Sequence, residues 1–173
     1  MPPPPHAPPE PTPQQAAPKA APGPGPVTSG QVASAPAATV ALPAGTPKQQ
    51  YEFAFDFLKK QDYPRAESAL RQFLQGHPKD PLAGNAQYWL GETYYVRGDF
   101  QQAAVEFMAG YKNYPKTNKG PDNLLKLGMS MSKLNQKDGA CLALGRIGKD
   151  YPDAPDTVLK PAQAERTRLK CKA

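Results

Sequence analysis

The stretch QYWLGETYYVRGDFQQAAVEFMAGYKNYP, residues 87–115, decides the fold of this chain. It places tryptophan, leucine and glycine in consecutive positions, follows them with tyrosines and Gly-Asp-Phe, and ends on alanines, phenylalanine and proline. It contains no histidine, no cysteine and no clustered carboxylates, so it lacks the residue pattern of a catalytic centre. An order of large and small residues without reactive groups is typical of helix packing. If the order recurs at a fixed spacing, it indicates a repeat protein.

The order recurs with a period of 37 residues. The prolines of GHPKD, NYPKT and DYPDA lie at positions 78, 115 and 152. The same spacing gives two columns of small residues and two of large ones: Ala54, Gly91 and Gly128; Ala66, Ala103 and Ala140; Phe53, Leu90 and Leu127; Leu70, Phe107 and Leu144. Self-similarity at one fixed period is the sequence signature of a repeat protein, in which each unit stacks on the next.

Each unit predicts a pair of helices. Apolar residues recur at helical spacing, as in Tyr51, Phe55 and Leu58. Asp62 and Asp99 stand where a carboxylate would accept hydrogen bonds from the free amides of a second helix, which a proline then ends. The predicted helices cover residues 48–60, 63–76, 82–97, 100–113, 121–134 and 137–149, with a capping helix at 156–172.

This arrangement matches the tetratricopeptide repeat, which sets Leu-Gly, Tyr, Ala, Phe and Pro at fixed offsets within about 34 residues. Gln87 departs from the pattern at the usual tryptophan position, and Met131 departs from it at the tyrosine position. The predicted fold is all-α, with three helical hairpins stacked as a short right-handed solenoid and the capping helix after them. The hairpins fall at about residues 48–80, 81–117 and 118–154.

Composition divides the chain into two parts. Residues 1–47 hold 15 of the 23 prolines, no aromatic residue and only two charged ones. Such a segment cannot bury enough apolar surface to fold, so it is predicted to be a disordered Pro/Ala-rich linker before a repeat domain at 48–173. The net charge of +6 belongs to the repeat domain, with its basic excess near the C-terminal end. That excess indicates either acidic partners or solvated helix charge.

Several classes of function lack support in the sequence. The two histidines, His6 and His77, lie in the linker and beside a repeat-closing proline, and basic residues outside the C-terminus are dispersed among acids. We therefore expect a non-enzymatic protein with no cofactor, no metal and no nucleic-acid partner. Met1 is followed directly by prolines and no apolar run would span a bilayer, so neither a signal peptide nor membrane insertion is predicted. The chain is accordingly expected to be cytosolic, or else a mature or truncated form.

Three stretches resemble the periplasmic Tol–Pal system protein family YbgF, also called the cell division coordinator CpoB family. They are AQYWLGETYYVRGDFQQAAVEF, NYPKTNKGPDNLLKLGMSMSKLNQKDGACLAL and DYPDAP, and the resemblance covers residues 49–171. It implies a periplasmic scaffold that binds TolA and a bifunctional penicillin-binding protein, and that links septal peptidoglycan synthesis to outer-membrane constriction. The family attributes trimer formation to an upstream coiled coil, so a homotrimer is expected only if one exists.

A second envelope class remains as the alternative. The outer-membrane assembly lipoprotein BamD is also a repeat adaptor, with a longer array of repeats and a lipid-bearing N-terminal cysteine. This chain has three repeats and no cysteine before Cys141.

The first helix of each hairpin should line the concave side of the solenoid, where a partner's peptide or helix would bind. Aromatic side chains occupy the centre of this predicted face and charged ones its margin. The alternative for the apolar members is that they are core residues. The predicted face consists of Tyr51, Phe55, Leu58, Lys59, Asn85, Tyr88, Glu92, Tyr95, Asp122, Leu125, Met129, Ser132 and Lys133.

The two cysteines, Cys141 and Cys171, are predicted to pair. Cys141 lies about ten residues before the turn at Pro152, and Cys171 lies about ten residues beyond Pro161, so two antiparallel helices would bring them level. The bridge would tie the capping helix to the last hairpin. Two free thiols are the alternative.

Overall fold

A computed structural model describes residues 39–172, and these residues contain helices and turns but no strand. The helices of this part are α1 (Pro47–Lys59), α2 (Tyr63–Gly76), α3 (Ala83–Val96), α4 (Phe100–Asn113), α5 (Gly120–Lys133), α6 (Lys137–Asp150) and α7 (Asp156–Arg168). The predicted all-α array of three hairpins and a capping helix is confirmed.

Small residues let the two helices of each hairpin approach closely. A Cβ atom added to Gly91 would lie 2.6 Å from Cε1 of Phe107, and one added to Gly128 would lie 2.5 Å from Cγ of Leu144. Both contacts are shorter than real Cβ atoms tolerate, and Phe107 and Leu144 are themselves buried. The glycine column therefore fixes the distance between the paired helices.

The second helix of each hairpin begins with the same turn. The residue two places before it has a left-handed backbone in every repeat, with φ of 59° at Gln61, 81° at Gly98 and 59° at Asn135. Glycine adopts this conformation freely and asparagine tolerates it, whereas a residue such as glutamine loses about 1 kcal/mol there. Asp62 and Asp99 then cap α2 and α4 as predicted, each accepting a hydrogen bond from a first-turn backbone N–H.

The N-terminal boundary of the folded unit lies earlier than predicted. Residues 1–38 of the predicted linker lie outside the described residues, but Val40 and Leu42 contact α2. The backbone N–H of Val40 donates to Oγ of Ser68 at 3.2 Å, and that of Leu42 donates to Oε1 of Gln72 at 3.3 Å. Leu42 also packs against the core, and Pro47 is already helical. Two apolar residues and two hydrogen bonds thus place the end of the predicted linker on the domain.

Two predicted helix bounds also change around prolines. Pro81 precedes α3, because the chain first makes a turn in which the N–H of Ala83 donates to the carbonyl of Asp80 at 2.9 Å. Pro161 lies inside α7, which ends at Arg168, before the predicted residue 172.

The helices form two layers. Each second helix packs against the first helix of the next hairpin, and α7 packs against α5 and α6 as the first helix of a further repeat would. The first helices α3 and α5 also approach each other, so α1, α3 and α5 form the inner layer and α2, α4 and α6 the outer one. None of the helices within residues 39–172 has both the length and the hydrophobicity that a bilayer-spanning segment requires.

Candidate partner-binding face

The inner face, the solvent-facing side of α1, α3 and α5, begins with an aromatic cluster at the junction of repeats 1 and 2. The cluster consists of Tyr51, Phe55 and Trp89, all half-buried. The ring centroids of Tyr51 and Phe55 are 6.0 Å apart, and those of Phe55 and Trp89 are 5.2 Å apart in an edge-to-face arrangement. Partly exposed aromatic rings held by one another offer a partner apolar area at a small cost in side-chain entropy.

At the junction of repeats 2 and 3 the inner face becomes charged. Nζ of Lys126 lies 2.8 Å from Oε1 of Glu92 and 4.5 Å from the ring centroid of Tyr95. Nζ of Lys119 lies 4.6 Å from the ring centroid of Tyr88. Each ammonium group is held over the negative face of an aromatic ring, which stabilises its position while part of it stays in water. The inner face therefore changes from aromatic to charged along the array.

Three of the residues predicted for this face are buried instead. Tyr88 and Leu125 are each 7% exposed, and Tyr88 packs 5.8 Å from Phe107, centroid to centroid. Burial raises the pKa of Tyr88 above its ordinary value. Ser132 is covered by α7, because Nη2 of Arg168 donates to its Oγ at 2.5 Å. The prediction that these three offer side chains to a partner is wrong, and Tyr88 and Leu125 are core residues as the alternative had it.

The other predicted members keep some exposure, although Leu58 also packs against the core. The members that remain candidates for contact with a partner are Tyr51, Phe55, Lys59, Asn85, Glu92, Tyr95, Asp122, Met129 and Lys133.

Three residues of the inner face were missed by the prediction, namely Trp89, Lys119 and Lys126, whose Nζ lies 2.8 Å from Oε1 of Glu92. Trp89 contacts Phe55, and Lys119 lies beside both Tyr88 and Trp89. The repeat register contained a signal for Trp89, because it stands 37 residues before Lys126. Lys119 precedes α5 and belongs to no predicted helix, so periodicity gave no indication of its place.

The opposite, outer side of the junction between repeats 1 and 2 is closed by a polar network. Nη2 of Arg71 donates to Oη of Tyr94 at 2.7 Å and to Oε1 of Glu106 at 2.9 Å. Glu106 is 7% exposed and also accepts from Nε2 of Gln87 at 2.8 Å, while Tyr94 donates to Glu67. A buried carboxylate is stable only when it is paired in this way. Nε2 of Gln87 also donates to the backbone carbonyl of Glu106 at 3.2 Å. A tryptophan at this position, with a single side-chain N–H, could not donate both hydrogen bonds.

The same network shifts the ionisation of its members. Burial, together with the hydrogen bond to Glu67, raises the pKa of Tyr94 to about 12. Burial also tends to raise the pKa of Glu67, but hydrogen bonds from Tyr94 and Arg97 outweigh it and leave that pKa below its ordinary value. The network therefore holds Glu67 as a carboxylate and Tyr94 as a neutral phenol at neutral pH.

The capping helix is fixed to the third repeat by a disulfide and by hydrogen bonds. Cys141 of α6 and Cys171 are joined in a disulfide, with Cα atoms 5.5 Å apart, so the predicted pairing is present. Nη1 of Arg166 donates to the carbonyl of Cys141 at 3.2 Å. The hydrogen bond from Arg168 lowers the pKa of Glu165 to about 2.

Comparison with known proteins assigns the class. Residues 51–117 match a family model described as tetratricopeptide repeat, and residues 122–154 match a second model of the same description. Together the two matches span more than half of the chain, which belongs to the tetratricopeptide repeat proteins. Helical hairpins with an exposed inner face make such a domain a protein-interaction scaffold.

Individual proteins similar to this chain narrow the class further. Two proteins of Pseudomonas putida, each named cell division coordinator CpoB, are 46% identical to this chain over 54 residues. The match covers 31% of this chain and only 20% of each relative, so the chain resembles these relatives over a small part of their length. A crystal structure of a tetratricopeptide repeat protein from Parabacteroides merdae has a TM-score of 0.58 at 18% identity. It covers 72% of this chain and 47% of that one, and the likeness shows the shared fold.

Proposed function

We propose that this chain is a non-enzymatic periplasmic scaffold of the Tol–Pal system that coordinates peptidoglycan synthesis with outer-membrane constriction during cell division. The observation that carries the proposal is the 46% identity, over 54 residues, to proteins named cell division coordinator CpoB. The disulfide supports the location, because such bonds persist in oxidising compartments such as the periplasm.

The inner face is the surface we assign to the partner. Its aromatic half offers Tyr51, Phe55 and Trp89, and its charged half offers Glu92 and Lys126. A helix or extended peptide that carries apolar residues toward repeat 1 and charged residues toward repeat 3 would match both halves. TolA and a bifunctional penicillin-binding protein are the partners we propose for it.

Titration calorimetry of the full chain with purified TolA tests this function. Phe55→Ala should weaken binding at least tenfold, because Phe55 is partly exposed and lies at the centre of the aromatic cluster. Leu142→Ala is the matched control, because Leu142 is 68% exposed on the outer helix α6. Equal affinities of the two variants would exclude the inner face as the TolA site. Failure of TolA and of the penicillin-binding protein to bind the unsubstituted chain would overturn the proposed function itself.

A further inference from the structure

An open apolar valley lies on the outer side of the junction between repeats 2 and 3. Its cavity of 280 Å³ is lined by side chains of α4 and α5, including Ala104, Val105, Met108, Leu127, Met131 and Leu134. Val105 is 53% exposed, and both methionines are half-buried. This cavity is referred to below as the outer valley.

The outer valley exists because the polar network of the preceding junction has no counterpart here. The positions 37 residues after Glu67, Arg71, Tyr94 and Arg97 are Ala104, Met108, Met131 and Leu134. The counterpart of Gln102, which bonds to Glu106, is Gly139, and a Cβ there would lie 2.8 Å from Sδ of Met131. Shorter or apolar side chains thus leave open the space that the first junction fills with ion pairs.

The valley becomes basic at its other end. A second cavity of 480 Å³ between the C-terminal turns of α4 and α6 is lined by Tyr111, Lys112, Lys116, Arg146 and Asp150, among others. Asp150 is already held by Arg146 at 2.9 Å and by the hydroxyl of Tyr111 at 2.6 Å. Two lysines therefore remain to attract negative charge. Along α4 the surface passes from Val105 and Met108 to Lys112, a distance of about 10 Å at 1.5 Å per residue.

The occupant should be a helix and not an extended strand. Against α2, residues 40–42 are non-helical, and Ser68 and Gln72 hydrogen-bond to their backbone. The corresponding positions of α4 are Val105 and Ala109, whose side chains cannot do so. An extended peptide beside Val105 and Ala109 would find no side-chain partners there for its backbone groups, whereas a helix satisfies its own.

We propose that the outer valley binds an amphipathic helix of a partner protein whose apolar stripe is followed, at one end, by acidic residues. Flexible methionines suit such a groove because they adapt to different apolar side chains. The acidic end of the helix lies against Lys112 and Lys116, where the potential is complementary. This surface is separate from the inner face and leaves that face free for a second partner.

The test uses a labelled helical probe of about 16 residues, with leucines at three- and four-residue spacing and glutamates in the turn at one end. We expect fluorescence anisotropy to show saturable binding to the full chain. Val105→Asp should weaken that binding at least tenfold, while Val96→Asp should not. Val96 is a fair control, because it is 50% exposed at the end of α3, away from the outer valley. Two further probes complete the series, one with lysines in place of the glutamates and one with a central proline; both should bind at least tenfold more weakly.

Methionine-methyl NMR of the full chain locates the probe. The resonances of Met108 and Met131 should shift on titration, while that of Met129, on the inner side of α5, should not. A shift of Met129 alone would place the probe on the inner face and overturn the outer-valley proposal without affecting the proposed function. Absence of binding, or equal binding of the glutamate and lysine probes, would also overturn it.

Discussion

The junction of repeats 1 and 2 and the junction of repeats 2 and 3 have the same geometry but opposite polarity. On the inner side, the register-equivalent pairs are Phe55 with Trp89 and Glu92 with Lys126. On the outer side, Arg71 pairs with Glu106 at the first junction, and the second has Met108 and Ala143 at those positions. The first junction is therefore aromatic inside and ionic outside, and the second is ionic inside and apolar outside.

This inversion has consequences for both folding and binding. A hairpin stacked at the wrong junction would bury a carboxylate such as Glu106 against an apolar surface, which costs several kcal/mol. The inversion thus favours one order of stacking among three similar repeats. It also gives the domain an aromatic inner surface near repeat 1 and an apolar outer surface near repeats 2 and 3, so its two faces suit different partners.

The disulfide gives the largest expected effect, because it holds the last junction covalently. Reduction, or the Cys141→Ser and Cys171→Ser double variant, should lower the free energy of unfolding by about 3–4 kcal/mol in the chain-entropy treatment of a loop of about 30 residues. Denaturant unfolding with and without reductant measures this change. Hydrogen exchange should place the loss in α7, since the two polarity-inverted junctions do not depend on the bridge. An unchanged unfolding midpoint on reduction would refute this role.

Overpacking the interior of a hairpin should lower the free energy of unfolding equally in repeats 2 and 3, although the junctions of these repeats differ. Gly91→Leu and Gly128→Leu should each cost about 3 kcal/mol, because each new side chain meets a buried residue of the paired helix. Gly148→Leu is the matched control, since nothing lies within 4 Å of a Cβ at that site in α6. Thermal unfolding of the three variants checks the prediction. A stable Gly91→Leu variant would show that the helices separate without loss.

Acid should loosen the first junction before the second. The folded-state pKa of Glu67 is lower than its ordinary value of 4.5, so its ion pairs stabilise the fold above that pH and are lost as pH falls through the lower value. The equivalent residue at the second junction is Ala104, which does not titrate. As the pH falls below about 4.5, hydrogen exchange should therefore rise at α2 and α3 more than on the outer side of α4 and α5. Glu67→Gln should remove this difference, and equal acid sensitivity at both junctions would contradict it.

The hairpins could be predicted from the sequence because they depend on local, periodic signals. The small residues Gly91 and Gly128 and the repeat-closing prolines recur every 37 residues, and Asp62 and Asp99 indicate where the second helices begin. The repeat columns also contained a signal of the polarity inversion. Tyr94 takes part in the outer network through its hydroxyl, and the residue 37 positions later is Met131, which has no hydroxyl. The inversion becomes visible only when the network partners of Tyr94 are compared as well, because Arg71 and Glu106 are replaced by Met108 and Ala143 at the second junction.

The depth of individual side chains could not be predicted in the same way. Tyr88 belongs to the same predicted face as Tyr95 and both rings lie near Phe107 and beneath a lysine, yet Tyr88 is 7% exposed and Tyr95 is only half-buried. Ser132 is covered by Arg168 from α7. Both outcomes depend on contacts between segments that are distant in the sequence. The contacts of Val40 and Leu42 with α2 were also missed. A proline-rich composition predicts a linker, and it contains no information about the surface that the end of the linker contacts.

A double-mutant cycle on Arg71 and Glu106 tests the inversion of polarity most directly. Arg71→Met and Glu106→Ala introduce the residues that occupy these positions at the second junction, Met108 and Ala143. Arg71→Met alone should destabilise, because it leaves a carboxylate that is 7% exposed without its cation, and adding Glu106→Ala should recover part of the loss. We predict a coupling free energy of about 1–2 kcal/mol from urea unfolding of the four proteins. Additive effects, with coupling below about 0.3 kcal/mol, would contradict the account, because the outer side of the first junction would then not depend on this ion pair.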